Sequence, residues 1–417
     1  MMFKIVYCIY LVISLFYGTT PIWEEISIRH FLTIIMLGMC YVESGLKLDR
    51  FLKWYMLFML FYTVVEVGSG YSSHVFGKIL GTYLASITLY LATKVIIEKY
   101  QSEHLITNTL VILALINAIE AIWQFTGNPI AQALPQILHI SLSEEDIAFY
   151  NAREDFHGYG VGGLMGIVTS GYFLSATSVL ALYNNKRNYI SILNWIVFSV
   201  IFFALFLVQE RSGLMAGVIC TFLYFVLITR REQRNLTPAF LICICAIIVL
   251  SQYVSQIVSF ENMRYLSVGI SDDRRTLIAM DALKWVLQNP EGGASFFYNM
   301  GGDYPHNFFI IAFLYGGIIG GGILIGILFM QLSKIINIVS LSYQENTYSP
   351  LLLATCMAYL CYTLNSLFHN YSLVTGGEMI FLLWAMIGSL KDREDTLPDD
   401  IDLEIENMYP HSQIEKQ

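Results

Sequence analysis

The chain is 417 residues long, 56% hydrophobic and only 13% charged, with a mean hydropathy of +0.59. A water-solvated globule of this length carries about 25% charged residues, so that class is excluded. So is a partner recognised through nucleic-acid phosphates, because the net charge is −9. The class that remains is an all-α polytopic membrane protein.

Apolar runs of roughly 17–25 residues cross a bilayer, and the sequence holds about 12 transmembrane helices by that measure. In chain order they are 3–20, 28–46, 52–68, 75–97, 104–125, 160–183, 189–208, 212–229, 237–257, 307–333, 349–369 and 374–390. Lys4 ahead of the first run resembles a signal sequence, but Gly18-Thr19-Thr20-Pro21 has no small-x-small cleavage site, which favours a retained helix. The runs form one membrane domain, 1–390. Two connections in it exceed turn length, 126–159 and 259–306. The tail 391–417 carries nine acids against three bases and reads as a solvated end.

Orientation follows from the basic residues. With the N-terminus inside, fifteen Lys and Arg fall on the inner side and eight on the outer, so both termini are expected in the cytoplasm. The outer eight are Arg29, Lys78, Arg153, Arg211, Arg264, Arg274, Arg275 and Lys284. Six of these are Arg, whose planar fork suits phosphate or carboxylate. All seven cysteines fall in the expected spans, and no spacing suggests a metal or cofactor site.

The glycine clusters have modest meanings. Residues 160–166 superficially match a dinucleotide loop, but no strand precedes them. The pairs Gly316/Gly320, Gly317/Gly321 and Gly322/Gly326 have the small-xxx-small spacing of close helix packing.

The chemistry concentrates on the outer side. Asp272 and Asp273 can cap a helix that runs to Gln288 and stops at Asn289-Pro290 and Gly292-Gly293. At 100° per residue, Arg274, Asp281, Lys284 and Gln288 share a polar stripe, which makes Arg274 a solvated residue at the edge of any site. Arg275 falls with Ala279, Ala282 and Val286 on the packing face. There it needs an anion, either a substrate or a structural partner such as Glu66 or Glu120. Three outer helix starts carry suggestive residues: His157-Gly158, Arg211-Ser212-Gly213 and His306-Asn307. Backbone N–H groups at such starts suit an anion. Arg211 is a diphosphate ligand or an interfacial anchor. His306 can accept a hydroxyl proton at neutral pH, with Asn307 beside it and His369 as its competitor. Intramembrane Glu66, Glu120 and Glu378 are site candidates by default, or else hold the arginines in place.

Two stretches together resemble the O-antigen polymerase/ligase superfamily of bacterial envelope glycosyltransferases. One is Gln209-Glu-Arg-Ser-Gly-Leu-Met-Ala-Gly217. The other runs from Arg275 through Ala279, Ala282 and Asn289-Pro290 to Pro305-His306-Asn307 and Gly316-Gly317. The run Pro290-Glu291-Gly292-Gly293 departs from the more apolar Pro-x-Gly-x-Gly common in the family. The resemblance implies a GT-C-like membrane fold with a large periplasmic loop between helices 9 and 10, in the bacterial inner membrane. It implies metal-independent transfer from an undecaprenyl-diphosphate-linked oligosaccharide. Arg211 and Arg275 would bind the donor diphosphate and His306 would serve the acceptor hydroxyl. Arg153, Arg264, Arg274, His157, Asn307, Glu66 and Glu120 are the supporting substrate contacts, and a chain-length regulator and a flippase are the expected protein partners. A polymerase is the leading expectation. A ligase delivering glycan to lipid A–core comes second, and a polysaccharide or lipid-linked sugar transporter third.

Overall fold

A computed structural model describes residues 1–16, 21–23, 26–71, 78–138, 162–183, 192–208, 211–232, 273–305, 307–345, 348–367, 373–374 and 377–395. The elements in order are α1 (Met2–Phe16), a two-stranded antiparallel ladder β1 (Pro21–Trp23) and β2 (Ile26–Ser27), α2 (Ile28–Ser44), α3 (Arg50–Gly68), a π-helical turn (Ile79–Tyr83) and α4 (Leu84–Glu98). Then come α5 (Glu103–Phe125), α6 (Pro129–Ile137), α7 (Ile167–Ala181), α8 (Ile192–Val208) and α9 (Arg211–Glu232). The last are α10 (Asp273–Gln288), α11 (Ala294–Asn299), α12 (Phe308–Glu345), α13 (Pro350–Ser366) and α14 (Glu378–Glu394). The small ladder is the one departure from an all-helical chain among the described residues. Eleven of the expected runs overlap helices, with different bounds in several, and 237–257 lies outside the described residues.

Among the described residues, four helices are long and apolar enough to cross a membrane: Arg50–Gly68, Glu103–Phe125, Ser212–Thr229 and Phe308–Glu345. Met2–Phe16 and Ile192–Val208 are apolar but shorter. Polarity is arranged for an apolar solvent. In α12, Gln331 is fully buried and accepts a hydrogen bond from Tyr359 Oη at 2.6 Å, while Phe329 and Ile336 face outward at 61% and 65% exposure. Hydroxyls within α7 turn back onto their own helix, as Thr177 does to the Phe173 carbonyl. Lipid offers a polar group no partner, so such groups must be satisfied internally.

Polar contacts mark the two ends of the bundle. At one end Lys4 donates to Ser102, Lys94 pairs with Asp49 at 3.2 Å, and Arg393 pairs with Glu103 at 3.0 Å. At the other, Arg29 at the start of α2 meets Glu378 at the start of α14, and Ser212 of α9 donates to Asn365 of α13. Tyr55 and Tyr83 donate to the carbonyls of Leu373 and Val374, both at 2.8 Å. Between the ends, α3 presents Phe51, Tyr55, Phe58 and Tyr62 down one face. These rings stack or cross edges with Phe381, Tyr83 and Tyr315.

α12 differs from the expected run 307–333. It extends to Glu345 and breaks at Gly317, whose φ of 62° and ψ of −167° only glycine tolerates. From Ile318 onward it is about 42 Å long at ~1.5 Å per residue, so this part alone exceeds the roughly 30 Å of hydrocarbon. In an unbroken helix the Ile318 N–H would donate to the Leu314 carbonyl. Here Ile318 N donates to the Pro290 carbonyl at 2.8 Å, and Gly293 N donates to the Leu314 carbonyl at 2.9 Å. The turn after α10 thus replaces the missing helical bond with two of its own.

Glycine is required on both sides of this joint. A Cβ on Gly317 would lie 2.2 Å from the Glu291 carbonyl oxygen, and one on Gly292 would lie 2.5 Å from the Gly317 nitrogen. Helix packing explains fewer of the spaced glycines than expected. Gly316 and Gly320 do face Phe58 and Phe61 of α3, but a Cβ on Gly322 or Gly326 meets nothing within 4 Å.

α10 runs as the cap signals predict. Ala282 and Val286 are buried, and Asp281, Lys284 and Gln288 are exposed. A third sector, Met280, Leu283 and Leu287, is apolar and exposed. The expected run 160–183 needs correction, because its glycines precede the helix. Gly163 and Gly166 have φ of 57° and 79°, and α7 begins only at Ile167.

Gly317→Ala should lower the thermal midpoint of the detergent-solubilised protein. The backbone conformation alone accounts for roughly 1–3 kcal/mol. Gly322→Ala should leave the midpoint unchanged or raise it, since alanine is the better helix former. Equal behaviour of the two variants would remove the joint from this account.

Candidate functional site

At the end of the bundle where α3 finishes and α12 begins, the carboxylate of Glu66 is completely buried. Its Oε1 accepts the Ser295 N–H at 3.2 Å, which ties the end of α3 to the start of α11. Its Oε2, the Tyr62 hydroxyl and the Tyr298 hydroxyl have no hydrogen-bond partner among the described residues. The Tyr62 ring stacks on Tyr315 with centroids 5.6 Å apart, and Lys78 Nζ sits 3.9 Å from the Tyr315 centroid. Tyr298 and Tyr304 stack at 5.4 Å.

Burial, reinforced by the neighbouring Tyr315, pushes the hydroxyls of Tyr298 and Tyr304 above the ordinary tyrosine range. Both therefore stay neutral and serve as hydrogen-bond donors, not bases. A buried carboxylate, a set of phenol hydroxyls and a cation held over a ring can together bind a ligand rich in hydroxyl groups.

The expected site residues are distributed unevenly around this cluster. Position 306 lies outside the described residues, but Pro305 and Asn307, one and three residues beyond Tyr304, are placed. Asn307 is the N-cap of α12. Its Oδ1 accepts from Phe309 N at 3.0 Å and from Ile310 N at 3.3 Å. That side-chain oxygen is therefore occupied by the helix, and the free N–H groups expected at this start are partly satisfied by it. Arg275 and Arg274 belong to the first turn of α10, and Arg211 is the first residue of α9. Their side chains, like all of Arg153, His157, Arg264 and His369, lie outside the described residues. His157 is ten positions ahead of the α7 start, so it does not head that helix.

Glu120 has a separate setting. It accepts weakly from Gln124 Nε2 at 3.4 Å on α5. Gln124 and Asn117 grip the glycine run. Gly163 N donates to Gln124 Oε1 at 2.9 Å, and Leu164 N donates to Asn117 Oδ1 at 2.7 Å. A Cβ on Gly163 would meet Asn117 Oδ1 at 2.6 Å, which explains the glycine without any nucleotide. α5, which carries Glu120, packs on α6, α7 and α8, whereas α3, which carries Glu66, packs on α11 and α12, so the two acids serve different parts of the molecule.

Arg29 and Glu378 also resolve into structure. Arg29 is 4% exposed, its Nη1 meets Glu378 Oε1 at 2.5 Å, and its Nη2 donates to the Gly81 carbonyl. The outer arginine excess therefore includes one structural residue. Sequence reasoning did not pick out Tyr62, Lys78, Tyr298, Tyr304 or Tyr315 as site residues. Only the i,i+4 spacing of Tyr62 and Glu66 was there to be seen, because the other members come from distant segments.

No protein-family model, no curated protein and no solved structure matches the chain.

Glu378→Ala strands a buried guanidinium and should cost about 3–5 kcal/mol of stability, read as a lowered thermal midpoint that Glu378→Gln partly restores. Asn307→Ala should cost about 1 kcal/mol as a lost cap, while Asn307→Asp should match the parent. A parent-like midpoint for Asn307→Ala would mean the cap is not used.

Proposed function

We propose that the chain is a membrane glycosyltransferase that joins undecaprenyl-diphosphate-linked repeat units into a surface polysaccharide on the periplasmic face. In this reading the protein has about twelve spans in the bacterial inner membrane, with both termini in the cytoplasm. The observation that best supports it is the joint between Pro290–Gly293 and Gly317. Asn289-Pro290 and Gly316-Gly317, two separated parts of the sequence set that resembles the O-antigen polymerase/ligase superfamily, are brought together by the bond from Ile318 N to the Pro290 carbonyl, at the turn that follows the helix carrying Arg275.

In the reaction, a hydroxyl oxygen of the acceptor sugar attacks the anomeric carbon of the donor. The C–O bond to the lipid diphosphate breaks, and the diphosphate departs with the electron pair. His306 takes the hydroxyl proton. Arg211 and Arg275 stabilise the charge that develops on the leaving group. Glu66 and the tyrosines around it hold sugar hydroxyls. Arg264, Arg153 and His157 remain candidate contacts at the rim.

Deleting the gene and analysing both the lipopolysaccharide and the lipid-linked pool tests the reading. A polymerase leaves core bearing a single repeat. Bare core with long glycan retained on undecaprenyl diphosphate means a ligase, and complete glycan trapped on the cytoplasmic side means a carrier. Arg275→Ala and His306→Ala, each verified as inserted and folded, should fail to restore long chains. Normal chains from both would overturn the proposed roles.

A further inference from the structure

From Leu277 to Gln288, α10 turns three different sides to its surroundings. At 100° per residue its apolar positions run without interruption from Trp285 through Ala282, Val286 and Leu283 to Met280, an arc of roughly 220°. A helix that only packs on a core needs an apolar stripe of about 100°. Ala282 and Val286 fill such a stripe: both are buried, and α10 packs on α12. The rest of the arc, Met280, Leu283 and Leu287, is exposed. Asp281, Lys284 and Gln288 form the third side, with Lys284 paired to Asp281 at 3.3 Å. Leu277 is the exception, an exposed leucine within the polar side.

The joint at Gly317 fixes how deep this helix sits. Pro290, two residues past the end of α10, accepts the bond from Ile318 N of α12. Ile318 and Ile319 are exposed, on a helix long and apolar enough to cross a membrane, so in a bilayer they face acyl chains. The first charged residue after the break is Lys334, about 24 Å from Ile318 at ~1.5 Å per residue. Hydrocarbon is roughly 30 Å thick, so with Lys334 at one edge the joint lies about 6 Å inside the other. An interfacial amphipathic helix buries its apolar face about 5–10 Å into that same boundary. Leu287 is three residues from Pro290, so the exposed sector of α10 starts where the lipid-facing surface of α12 ends.

A protein partner fits this sector less well. A stable protein interface takes roughly 20–30 residues a side, and the sector offers three large side chains. Lipid needs no such area, because it covers whatever apolar surface lies at its depth.

We infer that α10 lies in the membrane interface, with Met280, Leu283 and Leu287 seated among lipid acyl chains and Asp281, Lys284 and Gln288 turned to the headgroup water. The bundle holds one apolar side of the helix and the bilayer holds the other. This placement rests on α12 crossing the membrane and not on glycosyl transfer, so the polysaccharide profile after gene deletion does not bear on it.

Photo-crosslinking tests it on the full chain in nanodiscs of phosphatidylethanolamine and phosphatidylglycerol. Benzoylphenylalanine is introduced singly at Met280, Leu283 and Leu287, and at Asp281, Lys284 and Gln288, in variants that keep the parent's thermal midpoint. Lipid adducts, counted by mass spectrometry, should be at least about five-fold more abundant at the first three positions. The unmodified chain gives a second reading, which no folding defect can hide. Hydroxyl radicals generated in the water should oxidise Met280 as slowly as Met56 of α3, which is similarly exposed on a membrane-length helix. The rate should be at least about five-fold below that of Met1, a larger gap than their exposures of 49% and 92% account for. Oxidation of Met280 as fast as Met1, or lipid adducts spread evenly over both sets of positions, would overturn the placement. Adducts from the first set to a second copy of the chain would overturn it equally, in favour of a dimer contact.

Discussion

The exchange of hydrogen bonds at Gly317 is the constraint on which the end of the bundle where α3 finishes and α12 begins depends. A helix broken in an apolar solvent exposes an N–H and a carbonyl that lipid cannot satisfy, each worth several kcal/mol. Here both are taken by one short turn, through Pro290 and Gly293. The break is stable only while the turn is docked, and the turn is held only while the break offers it those groups. α10, α11 and the entry to α12 are thereby fixed to the membrane bundle as one body.

The same rule, that polar groups must find partners inside the protein, accounts for most of the other polar contacts. Arg29 is neutralised by Glu378, the glycine run before α7 is held by Asn117 and Gln124, and Asn365 accepts from Ser212. The rule is not met everywhere: the Glu66 Oε2 and the hydroxyls of Tyr62 and Tyr298 are buried without a partner among the described residues, as are Arg29 Nε, Gln331 Nε2 and Asn365 Nδ2. Groups of that kind are costly in a purely structural role.

Much of the helical layout was legible from hydropathy, because a bilayer demands long apolar runs and tolerates little else. The α10 helix was legible too, from Asp273 at its start, Asn289-Pro290 at its end and the burial of Ala282 and Val286. Other features were not. The glycines at 316–326 share one spacing, yet Gly317 makes a break, Gly320 packs on α3, and Gly322 touches nothing. Spacing cannot tell these apart, because the difference lies in which segment comes alongside. Asn307 invited a reading as a ligand amide, but its side-chain oxygen closes the helix it precedes. Glu66 and Glu120 looked equivalent as buried acids, and their neighbours divide them between two clusters.

By itself, then, the sequence determined that the chain is helical and apolar, where most of the described helices lie, and the helix α10 between two of the expected runs. These are properties of local composition and periodicity, acting through hydrophobic transfer and helix capping. The tertiary structure decided what the loop does with its Pro-Glu-Gly-Gly turn, which carboxylate pairs with which cation, and where aromatic rings gather beside a buried carboxylate. Those outcomes depend on residues far apart in the chain meeting within hydrogen-bond or ring-contact distance, and no local pattern encodes that approach.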